Sequence, residues 1–246
     1  MVDRLFSDAE LAALYDALCP RQTRADFDFY LPMVMAAPAA LDVGCGTGAM
    51  LGEARDLGHT GLLVGLDPAA GMLAQARRRD GIDWVLGDLA SAGWSQAFDL
   101  VVMTGHAFQA LVSDEEIRAA LAGVREALKP DGRFAFETRN PKARAWEDWR
   151  PENAVEIAGL AGETVRMARR VEAPFDGETV SFSHTFTNAA WTAPRVSHST
   201  LRFLGAAALA RFLEEAGLAI DAQYGDWDKS PLADDSPEII TIVRRN

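Results

Sequence analysis

The sequence predicts an α/β fold: a doubly wound, mostly parallel sheet of seven strands, with a helical N-terminal preface and an antiparallel β insert after the fifth strand. Three observations predict it. Between residues 39 and 138 short apolar runs alternate with helical patterns, as expected of strands joined by right-handed crossover helices and covered on both faces. Between 140 and 203 the apolar period changes to two, the mark of half-buried antiparallel strands. After 203 a helix, a strand, a polar loop and a last strand follow, which suits an antiparallel pair closing the sheet.

Residues 1–38 read as a helical cap, because Leu11, Leu14, Tyr15 and Leu18 share one helical face, Cys19-Pro20 breaks it, and a second helix follows Thr23. Residues 39–139 read as a ligand-binding α/β core, with strands at 40–43, 62–66, 82–86, 98–103 and 134–136 and helices over 69–79 and 114–128. Residues 140–203 read as the insert. Val180, Phe182, His184 and Phe186 alternate there with Ser181, Ser183, Thr185 and Thr187, and Val165, Met167, Arg169 and Val171 form a similar set before the turn signal at 174–177. Its eight Lys and Arg equal its eight Asp and Glu, so it offers no strong field for an anionic or a cationic ligand. Residues 204–246 return to the core through a helix at 206–216, ended by Gly217, and strands at 218–224 and 238–243.

With 246 residues, 24 Lys plus Arg, 36 Asp plus Glu and 49% hydrophobic residues, the chain is globular in composition and carries a net charge of −12. Such a field repels phosphate backbones and argues against a nucleic-acid partner. Cys19 and Cys45 stand outside any CxxC or His-rich grouping, which leaves neither a disulfide framework nor a Cys-rich zinc site, and no metal is expected. The longest near-apolar stretch, 31–41, is broken by Pro32 and Pro38 and is too short for a membrane span. The N-terminus carries Asp3, Asp8 and Glu10 where a secretory signal would be basic, so a cytoplasmic protein without a membrane partner is expected.

The strongest motif is the run Asp42-Val43-Gly44-Cys45-Gly46-Thr47-Gly48, where the first strand turns into the first core helix. Glycines there permit positive φ and a close approach of backbone to a ligand. Asp67 ends the second strand, where a carboxylate can accept from both hydroxyls of a ribose or, more plainly, cap the helix after Pro68. Asp88, with Leu89 beside it, ends the third strand and can accept from an adenine amine or serve as a turn residue. The three features share the sheet edge at which open α/β sheets bind ligands.

On these residues the sequence resembles the class I S-adenosylmethionine-dependent methyltransferases, of the small-molecule type. The Leu66-Asp67-Pro68 and Met72-Leu73 stretches, Gly87-Asp88, Asp99 to Met103, and the run Leu128-Lys129-Pro130-Asp131-Gly132 extend the likeness. So do Gly225-Asp226-Trp227-Asp228 and Ser236-Pro237-Glu238, which look like the family's connection between its last two strands. The resemblance implies a Rossmann-like core with S-adenosyl-L-methionine as cofactor. Asp42 and the backbone of Gly44, Gly46 and Gly48 would surround its methionine part, Asp67 would hold the ribose, Met72 would pack on the adenine, and Asp88 with the Leu89 backbone would read the adenine edge. A sulfonium cofactor without phosphate tolerates acidic strand ends that a pyrophosphate would resist.

Gly44, Gly46 and Ala49 also satisfy the permissive G-x-G-x-x-A pattern, so an NAD(P)-binding oxidoreductase is an alternative, one that requires a parallel sixth strand. A noncatalytic cofactor-binding module is another. For methyl transfer, an in-line displacement, alignment is the main work and a base is optional. His106, in Thr104-Gly105-His106-Ala107-Phe108 after the fourth strand, is the candidate base, with a packing role as its alternative. Tyr15 can close over the sulfonium or pack in its helix. Arg24 can pair the cofactor carboxylate or stand as an exposed helix charge, Trp146 and Trp149 can wall the acceptor pocket or form the core of the insert, and His59 is expected at the surface. The chain lacks an Asp-Pro-Pro-Tyr type motif after the fourth strand, and the insert resembles the lids of small-molecule methyltransferases. The expected acceptor is therefore the nitrogen or oxygen of a small molecule.

Overall fold

The computed structural model describes residues 2–245. Three one-turn helices, α1 (Arg4–Ser7), α2 (Ala9–Ala12) and α3 (Tyr15–Leu18), open the chain and α4 (Ala25–Ala36) follows. The helix expected over Leu11 to Leu18 is thus split. The Asp8 carboxylate accepts from the N–H groups of Glu10 and Leu11, which starts α2, and a turn at Ala13 and Leu14 separates it from α3.

The core runs β1 (Ala39–Val43), α5 (Ala49–Asp56), β2 (Leu62–Asp67), α6 (Ala70–Ala76), β3 (Asp83–Leu86), α7 (Leu89–Ala92), β4 (Phe98–Met103), α8 (Asp114–Ala127) and β5 (Leu128–Arg139). After the insert come α9 (Ala206–Glu215), β10 (Leu218–Tyr224) and β11 (Glu238–Arg245); the strands of the insert are β6 (Val155–Ala158), β7 (Thr164–Val171), β8 (Thr179–Asn188) and β9 (Arg195–Arg202). The seven-stranded sheet has the order β10-β11-β5-β4-β1-β2-β3, and only β11 runs against its neighbours.

Alternation along the strands builds a core on each face. Leu41, Val43, Val64, Leu66, Val101, Met103, Phe134 and Phe136 pack with α8 and α9, while Ala40, Leu63, Leu100, Val102 and Ala135 pack with α4 and α5. Helix α8 is started by a reciprocal pair, Ser113 accepting from the Glu116 N–H and Glu116 accepting from the Ser113 N–H. His59, expected at the surface, is 6% exposed because its Nε2 lies 2.8 Å from the Ala37 carbonyl, which ties the β2 approach to the end of α4.

The insert is a four-stranded antiparallel sheet of order β6-β7-β8-β9. Val165, Met167 and Phe186 pack on Leu5, Leu11 and Leu14 of the N-terminal helices, and Val180 and Phe182 pack with Trp146, Trp149 and Phe203. The Leu5 N–H donates to Ser197 Oγ at 2.8 Å, and Ser199 Oγ donates to Asp3 at 2.6 Å, so the start of the chain is fastened to β9. No helix among the described residues is long and apolar enough to cross a membrane.

Candidate functional site

Because β1 to β5 are parallel, Val43, Asp67, Leu86, Met103 and Arg139 end along one edge of the sheet, and the reversed β11 starts there with Glu238. Gly44, Gly46 and Gly48 all adopt left-handed φ, of 75°, 56° and 73°. Gly46 faces open space, with nothing within 4 Å of where a Cβ would stand, so its backbone is free for close approach. Gly48 is different. A Cβ there would lie 2.2 Å from the Trp84 ring, so this glycine is required by packing.

Asp42, the fourth residue of β1, is 1% exposed and its Oδ1 has no hydrogen-bond partner. Burial, joined by the charge of Asp67, pushes its carboxyl up to about 7. An orphaned buried carboxylate oxygen beside an open glycine turn fits a ligand that brings a positive charge or a donor. Asp67 accepts from the Gly46 N–H (2.8 Å) and the Ala69 N–H (2.7 Å). Its carboxylate thereby shapes the turn, and each oxygen keeps further accepting capacity. Asp88 is exposed and held below the usual carboxylate range by its bonds with Ser91, which start α7. Leu89 buries its side chain in the core, where it meets Gly123 of α8.

Met72 is buried with Ala12 and Ala69, and Phe6 and Tyr15 pack against that group, so the structure brings Met72 and Tyr15 together. The Tyr15 ring lies 6.0 Å from that of Phe6, and burial raises its hydroxyl. Thr47 Oγ1 donates to Asp16 at 2.6 Å, a link between the glycine turn and the cap that no sequence pattern announces. Arg24 is not an exposed helix charge. It is held by two-pronged bonds to the buried Asp26 and reaches the sheet edge, where a Cβ on Gly105 would lie 3.2 Å from its Nη2.

His106 has left-handed φ (64°), and its backbone N–H donates to Glu137 Oε1 at 2.6 Å. Glu137 Oε2 accepts from the Tyr30 hydroxyl at 2.6 Å, and both Glu137 and Tyr30 are fully buried. On the far side of the imidazole, Nε2 lies 3.0 Å from each oxygen of Glu238. Burial pushes Glu238 up to about 8, against the nearby charge of Arg139, and burial together with that charge drives His106 down to about 3. Near neutrality the pair therefore sets a neutral imidazole against a carboxyl, whose proton bridges the contact. Once that proton leaves, the carboxylate accepts from Nε2–H and leaves the Nδ1 lone pair as a base. Glu137 and Glu238 were not among the residues expected from sequence; the available signal for Glu137 was a carboxylate inside an apolar strand.

Trp146 and Trp149 lie in the core of the insert with Phe182 and Phe203. His184 lies between Phe182 and Phe186, while His198 is exposed. Two surface hollows, of about 270 and 280 Å³, lie against Leu89, Trp94 and Gly123 and against Phe29 and Tyr224, so the candidate site is defined by its side chains and not by these hollows. No cluster of three or more His, Cys, Asp or Glu is placed to hold a metal among the described residues.

Residues 40–132 match the family model described as "Methyltransferase domain". A malonyl-[acyl-carrier protein] O-methyltransferase of Anoxybacillus flavithermus is 28% identical over 133 residues, 53% of this chain and 50% of that protein. A 2-phytyl-1,4-naphtoquinone methyltransferase of Thermosynechococcus vestitus is 34% identical over 116 residues, 45% of this chain and 50% of that protein. The chain thus spans about half the length of the curated relatives it matches. Among solved structures, the CcbJ methyltransferase from Streptomyces caelestis superposes with a TM-score of 0.79 at 19% identity, over 99% of both chains, and shares the fold.

Proposed function

We propose that this chain, whose residues 40–132 match a methyltransferase-domain model, is a class I enzyme that moves the methyl group of S-adenosylmethionine to a nitrogen or oxygen of a small-molecule acceptor. The observation that carries the proposal is the juxtaposition at the ends of β1 and β2 of the open turn at Gly46, the orphaned Oδ1 of Asp42 and the Asp67 carboxylate. Asp42 would accept from the cofactor's ammonium, Asp67 from its ribose hydroxyls, and Asp88 with the Leu89 N–H would meet the adenine edge, with Met72 as a wall. When bound, the cofactor supplies a methyl carbon already activated by its sulfonium.

The chain's own work is alignment, water exclusion and custody of a proton. Alignment alone is worth on the order of 7–11 kcal/mol. Any proton that the acceptor's nitrogen or oxygen sheds on receiving the methyl group would pass to Nδ1 of His106, with Glu238 holding Nε2. Residues 140–203 act as the lid over the acceptor, and Tyr15 in the cap closes the cofactor side. The naphtoquinone methyltransferase named above supports a small-molecule acceptor. The nicotinamide alternative loses its parallel neighbour of β5, because the strand at that place is the reversed β11.

Calorimetric titration with S-adenosylhomocysteine and, separately, with NAD and NADP tests the proposal. Saturable binding of the first and none of the others is expected. The reverse result overturns it.

A further inference from the structure

Two arginines stand between the sheet edge and the insert with no carboxylate in direct ion-pair contact among the described residues. Other arginines near the cap and the insert are matched: Arg24 pairs with Asp26, Arg202 with Asp114 and Glu178, Arg21 with Glu53 and Asp28, and Arg195 with Glu10. Arg139, at the end of β5, donates from Nη1 to Gln109 Oε1 at 3.0 Å and places its guanidinium 5.6 Å from the centre of the Trp149 ring, but forms no ion pair among the described residues. Its cross-strand neighbour Glu238 turns both oxygens to His106. Arg169 of β7 forms no ion pair either, and stands opposite His184 of β8.

A continuous wall joins the two. Trp149 packs on Phe182 with ring centres 4.4 Å apart, Phe182 on His184 at 5.1 Å, and His184 faces Arg169 in register. His184 Nδ1 is buried without a partner on this wall. The cations feel one another: burial and then the charge of Arg169 drive His184 down to about 4, and Arg139 is lowered by burial, with Arg169 adding to it against the opposing charges of Glu238 and Glu137. The insert is neutral by count, yet none of its carboxylates pairs with Arg139 or Arg169, while Glu147, Glu172 and Glu178 contact Arg144, His198 and Arg202. A buried cation without a counter-charge is costly and sets a demand for an anion.

We propose that Arg139 and Arg169 form an oxyanion subsite of the acceptor pocket, so that the acceptor is a small amine or alcohol bearing a carboxylate or phosphate group. The proposal rests on the methyl-transfer reading. Because Arg139 and Glu238 are directly paired across β5 and β11, the anionic group sits roughly 5 Å along the sheet from the pair that takes the proton. The reacting nitrogen or oxygen is therefore only a few bonds from the oxyanion. Planar guanidinium forks suit both carboxylate and phosphate.

The test uses the full chain saturated with S-adenosylhomocysteine, titrated with succinate, with inorganic phosphate and with pyrophosphate at constant ionic strength, chloride being the control anion. Saturable binding of at least one of the three probes is expected, and the preferred probe tells carboxylate from phosphate. R169Q, at a half-exposed position, should weaken that probe by about tenfold or more while S-adenosylhomocysteine affinity is kept, and R139K should retain more binding than R139Q. The His184 imidazole, followed by NMR, should titrate at higher pH when the probe is bound. Probes no tighter than chloride, or unchanged probe affinity in R169Q, overturn the subsite while cofactor binding stands. Failure of S-adenosylhomocysteine itself to bind overturns the methyl-transfer reading, and the subsite with it.

Discussion

Nε2 of His106 lies 3.0 Å from each carboxylate oxygen of Glu238, which couples the loop after β4 to the first residue of β11. Because burial holds the Glu238 proton up to about 8, methyl transfer to an amine or phenol should accelerate as pH rises through about 8, when the pair becomes a base. E238Q should lose that limb of the pH profile, and His106→Ala should lower turnover on the order of 10²-fold with cofactor affinity nearly unchanged. A pH profile of E238Q identical to the wild type's would contradict the assignment.

The same burial has a stability consequence. Between its ordinary value of 4.5 and about 8, Glu238 is protonated in the folded chain and ionised in the unfolded one, so the folded state binds the extra proton and stability falls as pH rises through this window. E238Q should remove its share of that fall, on the order of a few kcal/mol by pH 8, and be the more stable protein there. Urea melts at pH 5 and pH 8 measure both slopes.

Glu137 answers two donors at once, the Tyr30 hydroxyl and the His106 N–H, each at 2.6 Å. E137A should strand both in the core and cost about 2–5 kcal/mol, whereas Y30F should cost about 1 kcal/mol. In E137Q, which keeps the shape, turnover should fall more than stability, because the left-handed loop at His106 loses its charged acceptor. Melting and single-turnover rates on the three variants separate the two effects.

Replacing Asp67 by Ala should weaken S-adenosylhomocysteine binding by about tenfold or more, with a melting cost of about 1–3 kcal/mol, because the carboxylate also accepts from Gly46 and Ala69. D67N keeps an acceptor and should lie between wild type and D67A in both measurements. Undiminished affinity in D67A would remove Asp67 from the ribose.

Much of this arrangement was legible in the residues. The strands β1, β2 and β4 are short, mostly apolar runs, the glycines follow β1, Asp67 ends β2 and Asp88 stands just beyond β3, so their places at the sheet edge follow from pattern alone. Strand β6 was not legible, since Val155–Ala158 is only four residues long and largely exposed. Strand β5 was read too short because Lys129-Pro130-Asp131-Gly132 looks like a turn, yet it belongs to the strand and is accommodated by a bulge against β4. Glu238 and Arg139 become neighbours only through the reversed β11, a pairing of residues 99 positions apart that no local periodicity encodes.

The cap reports on cofactor retention. Leu11 is fully buried against Val165, Met167 and Phe186 of the insert, while Asp16, a few residues on, accepts from Thr47 in the glycine turn. L11A empties a packed site and should cost about 2–5 kcal/mol, which loosens cap, insert and turn together. D16A removes only the tie to the turn. Its stability should change by about 1 kcal/mol or less, while S-adenosylhomocysteine should leave several times faster with a nearly unchanged association rate, since the link acts on the closed state. Stopped-flow dissociation of D16A checks this: a wild-type off-rate would mean that the Thr47 contact merely decorates the turn, and a slowed association with normal dissociation would mean that the cap shapes the open site instead.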